Sequence, residues 1–187
     1  MKARTAALPA DPTGPLFSGF SALDCKTSRV HFAGVIGGEG PPVLLLHGYP
    51  QSHVTWHQVG PALAEHLTVI VAAYREAFRE ASVRHAIIED YRSAYGIDVD
   101  HDTADRAAAR KIKCPVMVLW AAERLVASGM ETAALTAADV WRRWADDVRG
   151  FNIACGHLLP EQAPDEVLDA VIPFLEALVG KGLDARS

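Results

Sequence analysis

The sequence predicts an α/β fold in which helices flank a mostly parallel sheet. Three observations predict it. The chain has 187 residues, half of them apolar and 22% charged. That is enough for one globular domain with a real core and too few for two ordinary ones. Val43–Leu46, Leu67–Ala72 and Val116–Trp120 are largely apolar runs without polar alternation, as expected of strands buried on both faces of a parallel sheet. Stretches with apolar residues at helical spacing lie between and after these runs, and strands alternating with helices make an α/β architecture.

Residues 1–15 hold three prolines and one glycine with no periodicity and are expected to form a disordered tail. Residues 16–187 are expected to form a single domain. Phe17–Leu23 and Arg29–Ile36 have strand texture around a Lys26-Thr27-Ser28 turn, and a Gly-Pro cluster over 37–42 precedes the strand Val43–Leu46. A loop, His47 to His53, leads to a helix expected over Thr55–His66, where Val59, Leu63 and His66 recur at helical spacing. The strand Leu67–Ala72 then runs into a charged helical stretch, Arg75–Tyr95, with no turn residue between them. Ile97–His101 is expected as acidic loop, Asp102–Lys111 as helix and Val116–Trp120 as strand. Residues 121–135 are weakly patterned. A helix over Ala137–Val148, a short strand Phe151–Ala154 and a helix over Pro164–Leu178 close the chain, with Gly180 and Gly182 as its stop.

A formal net charge of -5 argues against nucleic acid as a partner, because such surfaces carry a basic excess. No apolar run approaches the roughly 18 residues of a membrane span, and the N-terminus lacks the apolar segment of a signal peptide. Cys25, Cys114 and Cys155 are widely spaced. They fit a reducing cytosol and have no metal-site spacing.

Two motifs carry chemistry. His47-Gly48-Tyr49-Pro50 follows the strand Val43–Leu46. A glycine there lets the backbone turn at the carboxyl end of the sheet, where ligands bind in open α/β folds. Backbone N–H groups at such a turn can stabilise developing negative charge; the plain alternative is a turn with no chemistry. Cys155-Gly156-His157 stands between a late strand and the last helix. A histidine so placed can serve as general base, or be an ordinary surface histidine. His57 and His66 read as helix-surface or satisfied histidines and His101 as a loop residue. His53 could line a cleft, but reads first as an ordinary satisfied histidine.

The run PPVLLLHGYPQSHVTWHQVGPALAEH, then PVMVLWAAE, then CGHLLPEQAPDEVLDAVIPFL, resembles the α/β-hydrolase superfamily, and within it the haloacetate (fluoroacetate) dehalogenase branch. EDYRSAYGIDVDHDTADRAAARKIKCPVMVLW and WRRWADDVRG are similar to segments of that branch. The resemblance implies hydrolysis of the carbon–halogen bond of a small haloacid. An aspartate displaces halide, and water activated by the C-terminal histidine then hydrolyses the ester. His157 matches that histidine. Tyr49 matches the residue after His-Gly whose backbone N–H helps form the oxyanion hole beside His47 and Gly48. Tyr91 resembles the cap tyrosine that donates to the leaving halide. The resemblance implies no metal and no organic cofactor. Another superfamily hydrolase, such as an epoxide hydrolase, shares the H-G-x-P signal, and a non-catalytic remnant that binds a partner is the alternative from another class.

No residue matches the nucleophile. The elbow of this superfamily reads G-x-nucleophile-x-G, and the one glycine pair four apart, Gly34 and Gly38, encloses Ile36. The strand that would carry the acid orienting the histidine is missing as well. The junction Ala72–Tyr74 explains both losses. The strand before it matches the family's N-terminal half, and residues 74–101 resemble the far end of the cap domain. About three strand–helix units and most of the cap are lost between them, on the order of 100 residues at about 30 per unit. Asp98, Asp100 and Asp102 read as solvated charge, Cys155 as a small packing residue, and Ser18, Ser21 and Ser52 lack elbow context. The expected fold is therefore a truncated α/β-hydrolase fold. Val116–Trp120 is expected to close against the bared edge of Val43–Leu46, and any edge left open favours homo-oligomers.

Overall fold

The computed structural model describes residues 15–26, 28, 31–48, 51–73, 81–122 and 136–184. The chain divides into two compact units, Met1–Tyr74 and Arg75–Ser187. The division falls at the junction where strand sequence meets cap-like sequence. Residues 1–14 of the expected tail lie outside the described residues, as do Thr27, Arg29, Val30 and the stretch 123–135.

The first unit is built on a four-stranded sheet. Its strands are β1 (Ser21–Lys26), β2 (His31–Gly37), β3 (Pro42–Leu45) and β4 (Thr68–Ala73), in the order β1-β2-β4-β3. β1–β2 and β2–β4 pair antiparallel and β3–β4 pairs parallel, so this sheet is mixed rather than mostly parallel. The short link between β1 and β2 dictates an antiparallel hairpin, because a parallel return needs a crossover of a dozen or more residues. Phe17, expected at the start of a strand, lies instead in a 3-10 turn, Pro15–Phe17, and is fully buried.

The expected helix over Thr55–His66 divides into a 3-10 turn, His53–Trp56, and α1, Val59–Leu63. Pro61 has no N–H to donate back along the chain, so it is tolerated in the first turn of α1 but cannot continue an earlier helix. Val35, Val69 and Val71 on one sheet face are fully buried with Phe17, Val59 and Leu63. Each such side chain contributes about 1.5–3 kcal/mol of burial free energy. Gly38, at φ +76°, makes the turn from β2, and a Cβ there would collide with the carbonyl oxygens of Ala64 and Leu67. The opposite face is open towards its β3 side, where Leu44 is 57% and Leu46 61% exposed.

In the second unit, α2 (Ala81–Ser93) packs on α3 (Ile97–Ala107). The expected acidic loop Ile97–His101 is thus the start of a helix. Asp98 and Asp100 occupy its first turn, where carboxylates complement the helix dipole, and the Ser93 hydroxyl donates to Asp98 Oδ2 at 2.7 Å. β5 (Val116–Ala121) and β6 (Val148–Ile153) pair parallel, with Val116 opposite Val148 and Ala121 opposite Ile153. The expected helix Ala137–Val148 shortens to α4, Ala137–Trp141, because β6 takes Val148 into its ladder. A capping box between Thr136 and Asp139 starts α4. After α5 (Leu159–Gln162), α6 spans Pro164–Asp184. It runs through Gly180 and Gly182, since glycine in a helix costs only about 1 kcal/mol and does not by itself end it.

The expectation that Val116–Trp120 closes against Val43–Leu46 is not met. β5 takes β6 as its hydrogen-bonded neighbour, and β3 pairs with β4 at the edge of the other sheet. A six-residue ladder with β6 satisfies β5 within its own unit, whereas β3 offers four residues.

Candidate functional site

In the first unit, β3 ends at Leu45 and releases Leu46, His47 and Gly48. His47 is half-buried, and its Nδ1–H donates to the Gly48 carbonyl at 3.1 Å. Gly48 is exposed. Tyr49 and Pro50 lie outside the described residues. The side-chain amide of Gln51 donates to Thr55 Oγ1 at 3.2 Å. Ser52 caps the 3-10 turn by accepting from the Val54 N–H. His53 belongs to the core. It is 6% exposed and stacks on Phe17 at 5.7 Å between ring centroids. The ring of His57 donates from Nδ1 to the Val54 carbonyl at 2.9 Å, and His66 is exposed.

In the second unit, β6 delivers the chain to Ala154-Cys155-Gly156-His157. Cys155 is buried, as a packing residue would be, and its thiol donates to the Gly156 carbonyl at 3.3 Å. His157 is exposed at the carboxyl end of β6, the sheet edge at which α/β folds place their chemistry. Gln162 shapes this loop. Its Oε1 accepts from the Leu158 N–H at 3.1 Å, and its amide lies so close to Gly156 that a Cβ there would meet it at 2.9 Å. Sequence reasoning missed Gln162; its position four residues beyond Leu158 was the available signal. Tyr91 is on α2, 56% exposed, one residue from the Glu89–Arg92 ion pair.

His47 and Gly48 thus belong to one unit, and Tyr91 and His157 to the other. Within the second unit a cleft of about 510 Å³ lies between β6 and α6, near Phe151, Phe174 and Asp169. A second, of about 600 Å³, lies beside α3. Neither is lined by Tyr91 or His157. Among the described residues, no group of three or more His, Cys, Asp or Glu side chains could hold a metal ion, and no helix is long and apolar enough to cross a membrane.

Among the described residues, Asp139 and Asp146 have lowered pKa values, both for structural reasons. Asp139 is lowered first by the backbone N–H of Thr136, then by the Thr136 hydroxyl, with Arg142 adding to them. Asp146 is lowered first by its hydrogen bond from Lys113, with Lys111 adding to it. Asp98, Asp100 and Asp102 all lie on exposed α3, so the solvated reading of these residues agrees with their surroundings.

No family model matches the chain. It is 42% identical over 60 residues to a fluoroacetate dehalogenase from a Burkholderia species, which is 32% of this chain and 20% of that protein. It is 51% identical over 47 residues to a soluble epoxide hydrolase from Corynebacterium sp. strain C12, covering 25% of this chain and 16% of that one. The chain therefore matches a fifth or less of the length of these curated relatives. Among solved structures, a protein assigned as an epoxide hydrolase from Pseudomonas aeruginosa aligns with a TM-score of 0.76. The identity is 25%, over 87% of this chain and 97% of that one.

Proposed function

We propose that this chain, an α/β hydrolase by fold, derives from enzymes of the haloacetate dehalogenase type and does not itself complete their reaction. One observation carries this reading: the sequence has no G-x-nucleophile-x-G elbow, while the strands expected on either side of the lost segment are formed. His157 keeps the position of a general base at the end of β6. His47 and Gly48 keep the position of an oxyanion turn after β3, and Tyr49 follows them in the sequence. Residues 74–101, with Tyr91, are the remnant of the cap.

In the complete reaction an aspartate carboxylate attacks the carbon bearing the halogen, halide leaves, and a water deprotonated by histidine hydrolyses the ester. A base and backbone donors cannot replace the carboxylate that forms the ester. Groups that act as a unit lose most of their effect when one is removed. The substrate class of the parent enzymes is a small haloacid, with no cofactor required. A reducing cytosolic setting suits the free thiols of Cys25 and Cys114, which are exposed, and the open β3 edge favours self-association.

The test is halide release from fluoroacetate and chloroacetate by the full chain and its His157→Ala variant, side by side. Both are expected to stay at background. Turnover that disappears on replacing His157 would reveal a nucleophile not recognised here and overturn the reading. A second reading, descent from an epoxide hydrolase, is favoured by the 51% match to the Corynebacterium enzyme. Grafting a family elbow segment after Ala73 separates the two: recovered halide release supports the first, recovered diol formation from an epoxide the second.

A further inference from the structure

The cleft beside α3 has no part in the chemistry above, and it is firmly built. The Ile112 N–H donates to the Trp144 carbonyl at 2.8 Å, and Ile112 bridges to Ala145. The Arg106 guanidinium on α3 lies 5.7 Å from the centroid of the Trp144 ring. These contacts hold α3 and the segment after it against the turn that follows α4. The cleft, about 600 Å³, is lined by Trp141 and Trp144 and by Asp102 and Asp105, among others. That volume falls in the range of small-molecule sites.

Its lining carries two carboxylates, Asp102 and Asp105, and two cations, Arg110 and Lys111. Arg110 pairs with Asp105 at 2.5 Å, and Lys111 pairs with Asp146, which is not part of the lining, at 3.5 Å. Asp102 also lines the cleft, and among the described residues its carboxylate has no hydrogen-bond or ion-pair partner. Arg106, one helical turn further on, is over the Trp144 ring instead. Trp141, 43% exposed, offers a second indole, over which no cation lies among the described residues. An indole face attracts a cation by about 0.5–1 kcal/mol at an exposed site, and an unpaired carboxylate beside it adds a hydrogen-bond acceptor of matching charge.

We propose that this cleft binds a small organic ammonium ion with an apolar body, the body against Trp141 and the ammonium at Asp102. The site is independent of the hydrolase reading. The experiment titrates the full chain with phenethylammonium and with its neutral analogue 2-phenylethanol, followed by tryptophan fluorescence and by ligand-observed NMR. The ammonium is expected to bind about fivefold more tightly, the equivalent of roughly 1 kcal/mol. Asp102→Asn is expected to bring the two within about twofold, and Trp141→Ala to weaken both. Raising the salt concentration is expected to reduce the preference. Equal binding of the two probes, no saturable binding of either, or an ammonium preference that survives Asp102→Asn would overturn the proposal. Far-UV circular dichroism on each variant ensures that a loss of binding is read on a folded chain.

Discussion

Two adjacent leucines at the sheet edge should respond oppositely to the same substitution. Leu44 is 57% exposed and Leu45 is 9% exposed, because successive side chains of β3 point to opposite faces. A fully buried leucine is worth about 1.5–3 kcal/mol. Leu44 has less than half of that to lose, roughly 0.6–1.3 kcal/mol, and the aliphatic stem of a lysine retains part of it. Leu45 faces α1, with its Cδ1 3.9 Å from where a Cβ on Gly60 would sit. Deleting such a buried leucine costs about 2–5 kcal/mol, and an ammonium in its place adds desolvation. Set against a total stability of about 5–15 kcal/mol, Leu45→Lys is expected to unfold much of the first unit. Leu44→Lys is expected to melt within a few degrees of the parent chain. It should also reduce self-association, since a charge on an edge strand opposes edge-to-edge pairing. Thermal melts followed by circular dichroism give the first quantity and sedimentation velocity the second. Equal destabilisation by the two lysines, or a parent chain that sediments as a clean monomer, would refute this account of β3.

Three further outcomes follow from the geometry. Gly38→Ala is expected to destabilise the first unit by more than the roughly 1 kcal/mol of an ordinary glycine exchange, because its positive φ and the carbonyls of Ala64 and Leu67 leave no room; a denaturant titration checks it. Thr136→Ala is expected to cost about 1 kcal/mol by removing the cap of α4, with Thr136→Ser restoring most of it in the same titration. The depressed Asp139 pKa means that its contribution is complete above the ordinary carboxylate range and is lost as pH falls through the folded value. Asp139→Asn is therefore expected to lower the neutral plateau of the melting-temperature profile and to leave its acid end near that of the parent chain, so that the acid limb flattens.

The strand cores were legible because period and composition act locally. β3, β4 and β5 lie within a residue or two of the runs that predict them. The misses arise where distant parts of the chain decide. Val148 reads as the end of a helix until Val116 claims it for a parallel ladder. Gly180 reads as a stop, yet α6 continues past it. Ile97–His101 reads as loop because its carboxylates look solvated; the same carboxylates favour a helix start. The pairing of β5 could not be read from the sequence, since neither β3 nor β6 carries a mark of partnership. For the candidate site, His47, Gly48 and His157 stand at strand ends as their motifs imply. Gln162 escaped notice because a side chain that braces a loop has no motif.

That brace is local. It joins Gln162 to Leu158 and Gly156, all within seven residues, so the brace is inherited with the C-terminal segment as a single piece. A loop held by such short-range bonds tolerates large rearrangements upstream in the gene. If a nucleophile-bearing segment were spliced back before it, this brace is one part of the loop that the insertion would leave in place.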